Sequence, residues 1–94
     1  MIIVRNSFTA IPGQAGKLAT HLKEMAAAGN LRNPRVLTDL VGGFNQVVME
    51  HEIESLAELE EIYKRYTSDP QIREKAKEYL QMWTSGKREI FRVV

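Results

Sequence analysis

Two polar residues, Asn6 and His51, carry the side chains best suited to chemistry in this sequence. A neutral imidazole can remove a proton from an acidic C–H group or a phenol. An amide N–H can then steady the oxyanion that proton removal creates. We expect His51 to lie near Val4 and Asn6, because their strands are predicted to be antiparallel neighbours. The sequence therefore predicts a base and an oxyanion-binding group on one face of a sheet.

Both residues also have a structural interpretation. The stretch IIVRNSF alternates between two faces, which places Asn6 in a row with Ile2, Val4 and Phe8. A buried amide without partners costs about 1–3 kcal/mol. Asn6 is therefore either a pocket amide that orients a substrate oxygen or a structural amide bonded to backbone. His51 is either a general base or a packed, satisfied ring.

Large aromatic rings recur at helical spacing in the second half of the chain, at Tyr63, Tyr66, Tyr79 and Trp83. Such rings most simply form a core, because they dominate burial in small domains. A pocket between helices and sheet would still be lined by some of them, together with apolar side chains of the strands. The predicted ligand-binding residues are Val4, Phe8, Met49, Tyr63 and Trp83.

The residues that several other chemistries need do not occur. Without cysteine there are no disulfides, thiolate nucleophiles or cysteine-bound metals. The two histidines lack a spaced carboxylate partner, so we predict no metal site. Neither a phosphate-binding P-loop nor a GxSxG motif is present, and no cofactor is expected.

The 94 residues predict a single domain over residues 1–94. A hydrophobic fraction of 44% with 27% charged residues is typical of globular domains. Thirteen basic and twelve acidic residues give a net charge of +1, without the polybasic face of a nucleic-acid binder. The start MIIVRNSF does not resemble a signal peptide, and no apolar run is long enough to span a membrane. We therefore expect a cytoplasmic protein.

The first half of the chain predicts a strand, a helix and a hairpin. The first strand ends at the turn-forming AIPG, and helical spacing runs from about Gln14 to Gly29 and Asn30. NLRNPR is predicted as a loop. RVLTDLV and NQVVMEHEI follow as two strands of a hairpin turned by Gly42 and Gly43.

The second half predicts a broken helix and a last strand. Ser55 and Glu58 match a capping box that begins the helix, and Asp69 followed by Pro70 restarts it. The restarted segment is expected to end at Gly86, before the strand REIFRVV. Its predicted buried residues are Ile72, Ala76, Tyr79, Leu80 and Trp83.

The order βαββαβ favours an α+β, ferredoxin-like domain with one four-stranded antiparallel sheet in the order 4-1-3-2 and both helices on one face. Arg5 should pair across strands with Glu50 or Glu52 on the opposite face. That face mixes polar and apolar side chains, so we expect a partner to cover it. Its predicted residues on the first and third strands are Arg5, Ser7, Thr9, Gln46, Val48, Glu50 and Glu52.

RNA-recognition motifs share this element order, and IIVRNS and GGFNQVVM resemble their two sheet motifs. Those motifs depend on exposed rings on which bases stack. Ile3, Gln46 and Met49 stand where the rings should be. RNA binding is kept as a third hypothesis, and no nucleic-acid partner is predicted.

The sequence more closely resembles the dimeric α+β barrel superfamily, which includes antibiotic-biosynthesis-type monooxygenases, haem-degrading monooxygenases and NIPSNAP-type proteins. The resemblance covers nearly the whole chain: the PG before the first helix, GGF, ESLAELE, YTSDP and REIFRVV. It implies that two sheets pack face to face in a homodimer, so that the mixed face lines the barrel.

The haem-degrading members of this superfamily use an asparagine, a tryptophan and a histidine. Asn6 matches the asparagine, within RNSFT. The tryptophan position falls at or near Arg65 and the histidine position near Lys75, so the resemblance does not imply a haem site.

The resemblance and the residues together predict a small homodimer that holds a small, largely apolar molecule between sheet and helices. Cofactor-independent oxygenation or isomerisation is the matching chemistry, with His51 as base and Asn6 as oxyanion-binding group. A non-catalytic ligand-binding or assembly module on the same scaffold is the alternative. Whether the protein is an enzyme stays open at this stage.

Overall fold

Strands and helices alternate along the chain in the predicted order, with the second helix broken in two. The computed structural model describes residues 1–94. No helix is long and apolar enough to cross a membrane. The elements are β1 (Ile2–Ala10), α1 (Ala15–Ala28), β2 (Arg32–Thr38), β3 (Gln46–Ile53), α2 (Leu56–Ser68), α3 (Pro70–Tyr79) and β4 (Trp83–Arg92).

The four strands form one antiparallel sheet in the order β2-β3-β1-β4, which confirms the predicted order 4-1-3-2. In the β1–β3 register, Val4 lies opposite His51 and Asn6 lies opposite Met49. Alternate residues of β1 and β3 therefore face the helices, as the sequence predicted. The chain has the ferredoxin-like α+β fold.

The hydrophobic core fills the space between the sheet and the helices. Leu18 and Leu22 of α1 are fully buried against Val4, Val47 and Ile53 of the sheet. Burial of each such side chain stabilises the fold by roughly 1.5–3 kcal/mol relative to exposure. The core thus fixes α1 over the centre of the sheet.

Side-chain caps begin α2 and α3 as predicted. The Ser55 hydroxyl accepts a hydrogen bond from the Glu58 backbone N–H at 3.3 Å. Glu58 accepts in return from the backbone N–H of Glu54 at 2.5 Å, one residue before the expected partner. Asp69 accepts from the amides of Gln71 and Ile72, so the same residue ends α2 and starts α3.

The hairpin differs from its prediction at both ends of β2. This strand begins at Arg32, inside the predicted loop NLRNPR, because Arg32 and Arg35 pair with Glu52 and Glu50 across a bulge. It ends at Thr38, and residues 39–45 form a loop longer than a glycine turn. The bulky apolar residues of this loop are exposed: Leu40, Val41 and Phe44.

The end of α3 was also predicted wrongly. The helix ends at Tyr79, Leu80 is 60% exposed, and Trp83 is the first residue of β4. Gly86 lies inside that strand. The physical reason is that β4 pairs with β1 as far as Ala10, so its backbone must be extended from Trp83 onward.

The sheet face opposite the helices carries the predicted ion pair. Arg5 Nε lies 2.6 Å from Glu50 Oε2, and Arg35 Nη2 lies 2.9 Å from Glu50 Oε1. Burial of Glu50 works to raise the pKa of its carboxyl, but the hydrogen bonds and charges of Arg5 and Arg35 outweigh it and lower the pKa. Arg5 also lies over the Phe91 ring at 5.0 Å.

Replacing Asp69 with alanine should lower the free energy of unfolding by about 1 kcal/mol, because two amides at the start of α3 lose their acceptor. Urea denaturation measures this change. Asp69→Asn is the matched control, since asparagine caps helices as well as aspartate does. An alanine variant as stable as the asparagine variant would contradict the capping role.

Candidate functional site

A cavity of about 250 Å³ opens on the helix side of the sheet, where β1 and β4 meet the end of α3. The pairing of β1 with β4 builds it, because Asn6 lies opposite Arg88 and Phe8 lies opposite Gly86. Its lining residues are Asn6, Phe8, Tyr79, Trp83, Gly86, Lys87 and Arg88.

Three aromatic rings form the apolar wall of this cavity. The Phe8 ring meets Tyr79 edge-on at 6.0 Å and Trp83 at 5.2 Å, and Tyr79 lies 6.0 Å from Trp83. A Cβ atom at Gly86 would come within 3.1 Å of Phe8 and 3.4 Å of Trp83. The absence of a side chain at Gly86 therefore leaves the rings room to pack. The three rings contact one another and form one continuous wall of the cavity, which we call the aromatic box.

Asn6 has a side-chain partner, Arg88, at the polar edge of the cavity. Arg88 Nε donates to Asn6 Oδ1 at 2.9 Å, and the guanidinium lies over the Tyr63 ring at 4.6 Å. The hydrogen bond of the Asn6 side chain is to another side chain. The sequence had offered a structural amide bonded to backbone as one interpretation, and the observed partner differs from it. Because Oδ1 is the accepting atom, the Nδ2 donors of Asn6 remain free for another group.

Three polar atoms in the same layer are buried without a hydrogen-bond partner: His51 Nδ1, Tyr63 Oη and Trp83 Nε1. Each unsatisfied group costs about 1–3 kcal/mol. Native structures contain few such groups. Three of them in 94 residues is the usual native number, and one belongs to a cavity-lining tryptophan.

Burial sets the protonation of the titratable groups around Arg88. It lowers the pKa of His51; the backbone of Glu52 and the charge of Glu58 oppose this shift, and the charge of Arg88 adds to it. Burial also raises the pKa of Tyr63 and of Tyr79, with Arg88 opposing the shift in both. The imidazole is therefore neutral and both phenols are protonated at pH 7. Arg88 is the cation that acts on all three.

The structure brings some of the predicted site residues together and separates others. Asn6, Phe8 and Trp83 line the cavity, and Tyr63 lies at its edge beneath Arg88. Val4 and Met49 are buried in the main core.

His51 is also buried, with 3% of its surface exposed, and does not line the cavity. On the helix face of the sheet it lies diagonal to Asn6, since the direct partner of Asn6 is Met49. Cross-strand diagonal neighbours are roughly 7–8 Å apart. The two residues with catalytic potential are therefore neighbours, but only Asn6 reaches the cavity.

Arg88 and Gly86 were not predicted as site residues, and Tyr79 was assigned only to the core. The alternation in REIFRVV could have placed Arg88 on the same face as Ile90. Its position opposite Asn6 depends on the register of two strands more than 70 residues apart in the chain, as does that of Gly86 opposite Phe8. Sequence alone does not supply that register.

Four other clefts are larger, at about 450, 520, 270 and 400 Å³; the 270 Å³ cleft is lined in part by His51, and none of the four contains Phe8, Tyr79 or Trp83. The first contains Arg32 and Glu58, which pair with each other, and the second is lined largely by polar and charged side chains. Neither has an aromatic wall. No group of three or more His, Cys, Asp or Glu residues is placed to hold a metal ion.

Comparison with solved structures shows which proteins share this fold. A NIPSNAP domain protein from Burkholderia xenovorans superposes with a TM-score of 0.86 at 12% identity, over 100% of this chain and 95% of that one. A NIPSNAP family protein from Agrobacterium tumefaciens gives a TM-score of 0.86 at 15% identity, over 99% and 92%. These similarities confirm the predicted resemblance at the level of the fold.

A further structure, of a candidate antibiotic biosynthesis monooxygenase from Chloroflexus aurantiacus, gives a TM-score of 0.78 at 17% identity, over 99% of this chain and 92% of that one. No protein-family model matches the sequence. No curated protein matches it either.

Burial of His51 makes the stability of the fold depend on pH. Its pKa is lower in the folded protein than its ordinary value of about 6.5, so the unfolded chain binds the extra proton first as the pH falls. The stabilisation is complete above the ordinary value and is lost as the pH falls from there toward the folded pKa. The Glu50 carboxyl acts the same way, but only below its own ordinary value of 4.5.

Unfolding free energies measured between about pH 7 and pH 5 should therefore decrease in the native protein and decrease less in His51→Gln. Titration of the His51 ring protons by NMR gives the folded pKa directly. A value at or above the ordinary one would contradict the burial that the structure shows.

Proposed function

We propose that this protein is a homodimer that binds a small, planar, largely apolar molecule in the aromatic cavity between β1, β4 and α3. The observation that carries the proposal is the box of Phe8, Tyr79 and Trp83 closed at one edge by the Asn6–Arg88 pair. Apolar walls with a few placed polar groups are the usual composition of a small-molecule site.

The dimensions of the cavity limit its ligand. Its volume of about 250 Å³ lies just below the common range of ligand sites, about 300–1,000 Å³. The three rings are in contact at 5.2 to 6.0 Å and form a continuous apolar wall, against which a flat ligand can pack. A compound with a single ring or with two fused rings fits these limits.

A catalytic version of this function uses Asn6 and His51. The observation that favours it is the buried, neutral His51 with an unpaired Nδ1, which is the state that a general base requires. Cofactor-independent oxygenation or isomerisation would begin with proton removal by His51 and continue with an oxyanion held by the free Nδ2 of Asn6. Turnover would require the ligand to extend beyond Asn6 toward His51.

A non-catalytic carrier on the same scaffold needs no such extension, because the cavity itself ends at Asn6. The two versions therefore differ in the role of His51. In the carrier, ligand affinity depends on the aromatic box and does not change when His51 is replaced. In the enzyme, loss of His51 abolishes turnover while leaving affinity largely intact.

The dimer is proposed from the shape of the chain and the composition of its bare sheet face. The molecule measures 36 × 35 × 18 Å, which is one helix layer on one sheet. Leu37 and Phe91 are 41% and 42% exposed on the bare side, beside the nearly buried Glu50. Four strands of about 30 Å at about 4.8 Å spacing give a flat area of roughly 600 Å². Side chains that project from the sheet add to this flat area, so the accessible area of the face approaches the roughly 800 Å² that each partner buries in a stable interface.

Binding can be tested with naphthalene-2-carboxamide, a neutral two-ring compound. Trp83 is the only tryptophan, so its indole N–H gives a single resonance in a ¹⁵N-labelled sample. The probe should shift that resonance in a saturable way, because it packs against the aromatic wall to which the Trp83 indole belongs. Isothermal titration calorimetry supplies the affinity.

Two variants control this titration. Gly86→Ala adds a methyl group against Phe8 and Trp83 and should weaken binding several-fold. Ser85→Ala, one residue earlier on the opposite face, should bind as the native protein does. Saturable binding that is unaffected by Gly86→Ala, or a Trp83 resonance that never moves, would contradict the proposed site.

The assembly can be tested by sedimentation equilibrium at micromolar concentration. The native chain should behave as a dimer, and Val48→Lys should shift it toward monomer, because a third cation beside Arg5 and Arg35 would face its own copy across the interface. Ala27→Lys, on an exposed position of α1, is the charge-matched control and should remain dimeric. A native chain that sediments as a monomer would exclude the face-to-face dimer.

A further inference from the structure

We propose that the ligand of the aromatic cavity carries a carboxylate, which binds to the terminal nitrogens of Arg88 while its ring packs against the wall of Phe8, Tyr79 and Trp83. This inference rests on the proposed function and names the class of compound that the same site selects, a planar aromatic acid. It follows from the charge, the orientation and the unused donors of the residues that line the cavity.

The charge of Arg88 has no carboxylate partner in this protein. Arg88 takes part in none of the ion pairs, whereas Arg5 and Arg35 both bind Glu50. No aspartate or glutamate lines the cavity. Its strand neighbour Glu89 belongs to the opposite sheet face, where it pairs with Lys87. The cavity therefore has a net positive edge.

Arg88 is also held in a defined orientation. Its Nε is used by Asn6 Oδ1, and its plane lies over the Tyr63 ring. These two contacts leave the N–H groups of Nη1 and Nη2 unused. A guanidinium presents such donors as a planar fork that matches the two oxygens of a carboxylate. Because the side chain is already oriented, an incoming anion need not order it.

The remaining unused groups of the lining are donors as well. Asn6 retains both Nδ2 hydrogens at the cavity edge. Trp83 Nε1 is a free donor too, but it is buried and does not face the cavity. The free groups that a ligand can reach on Asn6 and Arg88 are donors and no carboxylate lines the cavity, so the lining favours a ligand with acceptors.

The same arrangement excludes the other ligand class that aromatic boxes commonly bind. Quaternary ammonium groups bind between rings through cation–π attraction. Here the guanidinium of Arg88 already occupies the face of Tyr63 and would repel a second cation at the cavity edge. The charge of the ligand is therefore fixed as negative or neutral, and the unpaired fork favours negative.

The experiment compares two probes of nearly equal shape, naphthalene-2-carboxylate and naphthalene-2-carboxamide, by calorimetry and by the Trp83 indole resonance. The carboxylate should bind the native protein about 3-fold to 10-fold more tightly, as expected for a bidentate pair with an exposed guanidinium. This preference should fall as salt is raised, because the pair is exposed to solvent. Arg88→Gln should bring the two affinities to within about 1.5-fold of each other.

Arg92→Gln is the matched control, because Arg92 lies four residues further on the same face of β4 and does not line the cavity. It should keep the full preference. Arg88→Lys retains the charge without the planar fork and should show a reduced preference. It also serves as the test variant if Arg88→Gln does not fold.

The outcomes separate this inference from the proposed function. Equal affinities of both probes for the native protein would overturn the carboxylate inference and leave the aromatic site standing. A preference undiminished in Arg88→Gln and Arg88→Lys would place the anion elsewhere and also overturn it. Failure of both probes to bind would overturn the site and the inference together.

Discussion

The pairing of β4 with β1 is the constraint on which the rest of the candidate site depends. It runs from Ile2 opposite Arg92 to Ala10 opposite Trp83, with one irregularity near the end. A shift of one residue would turn Arg88 and Gly86 to the other face of the sheet. The aromatic box, the Asn6–Arg88 bond and the stacking on Tyr63 would all disappear with it. The register thus decides whether this side of the sheet is a core or a site.

The core and the site divide the helix face of the sheet between them. Around Leu18 and Val47 the layer is a continuous cluster of buried apolar side chains. Around Arg88 the same layer contains three unpartnered polar atoms and a cation without a counter-ion. In natural proteins, polar groups without hydrogen-bond partners and charges without counter-ions are concentrated at functional sites. The opposite face shows the contrasting solution, because there the buried Glu50 is satisfied by both of its arginines.

Much of the fold could be predicted from the sequence, because local signals agreed with it. Alternation in IIVRNSF and NQVVMEHEI gave the faces of β1 and β3, and Ser55 and Asp69 marked the helix starts. Trp83 was misassigned because its spacing from Tyr79 fits a helix equally well. Only the long-range pairing with Ala10 makes it extended. Asn6 was singled out correctly as needing a partner, but Arg88 could not be named without that same register.

The most direct test of this account is a crystal structure of the protein with naphthalene-2-carboxylate. The account predicts the two rings of the probe against the wall formed by Phe8, Tyr79 and Trp83, with the carboxylate within hydrogen-bond distance of Nη1 and Nη2 of Arg88. A probe seated on the opposite sheet face, or one in the box with its carboxylate turned away from Arg88 into solvent, would contradict it.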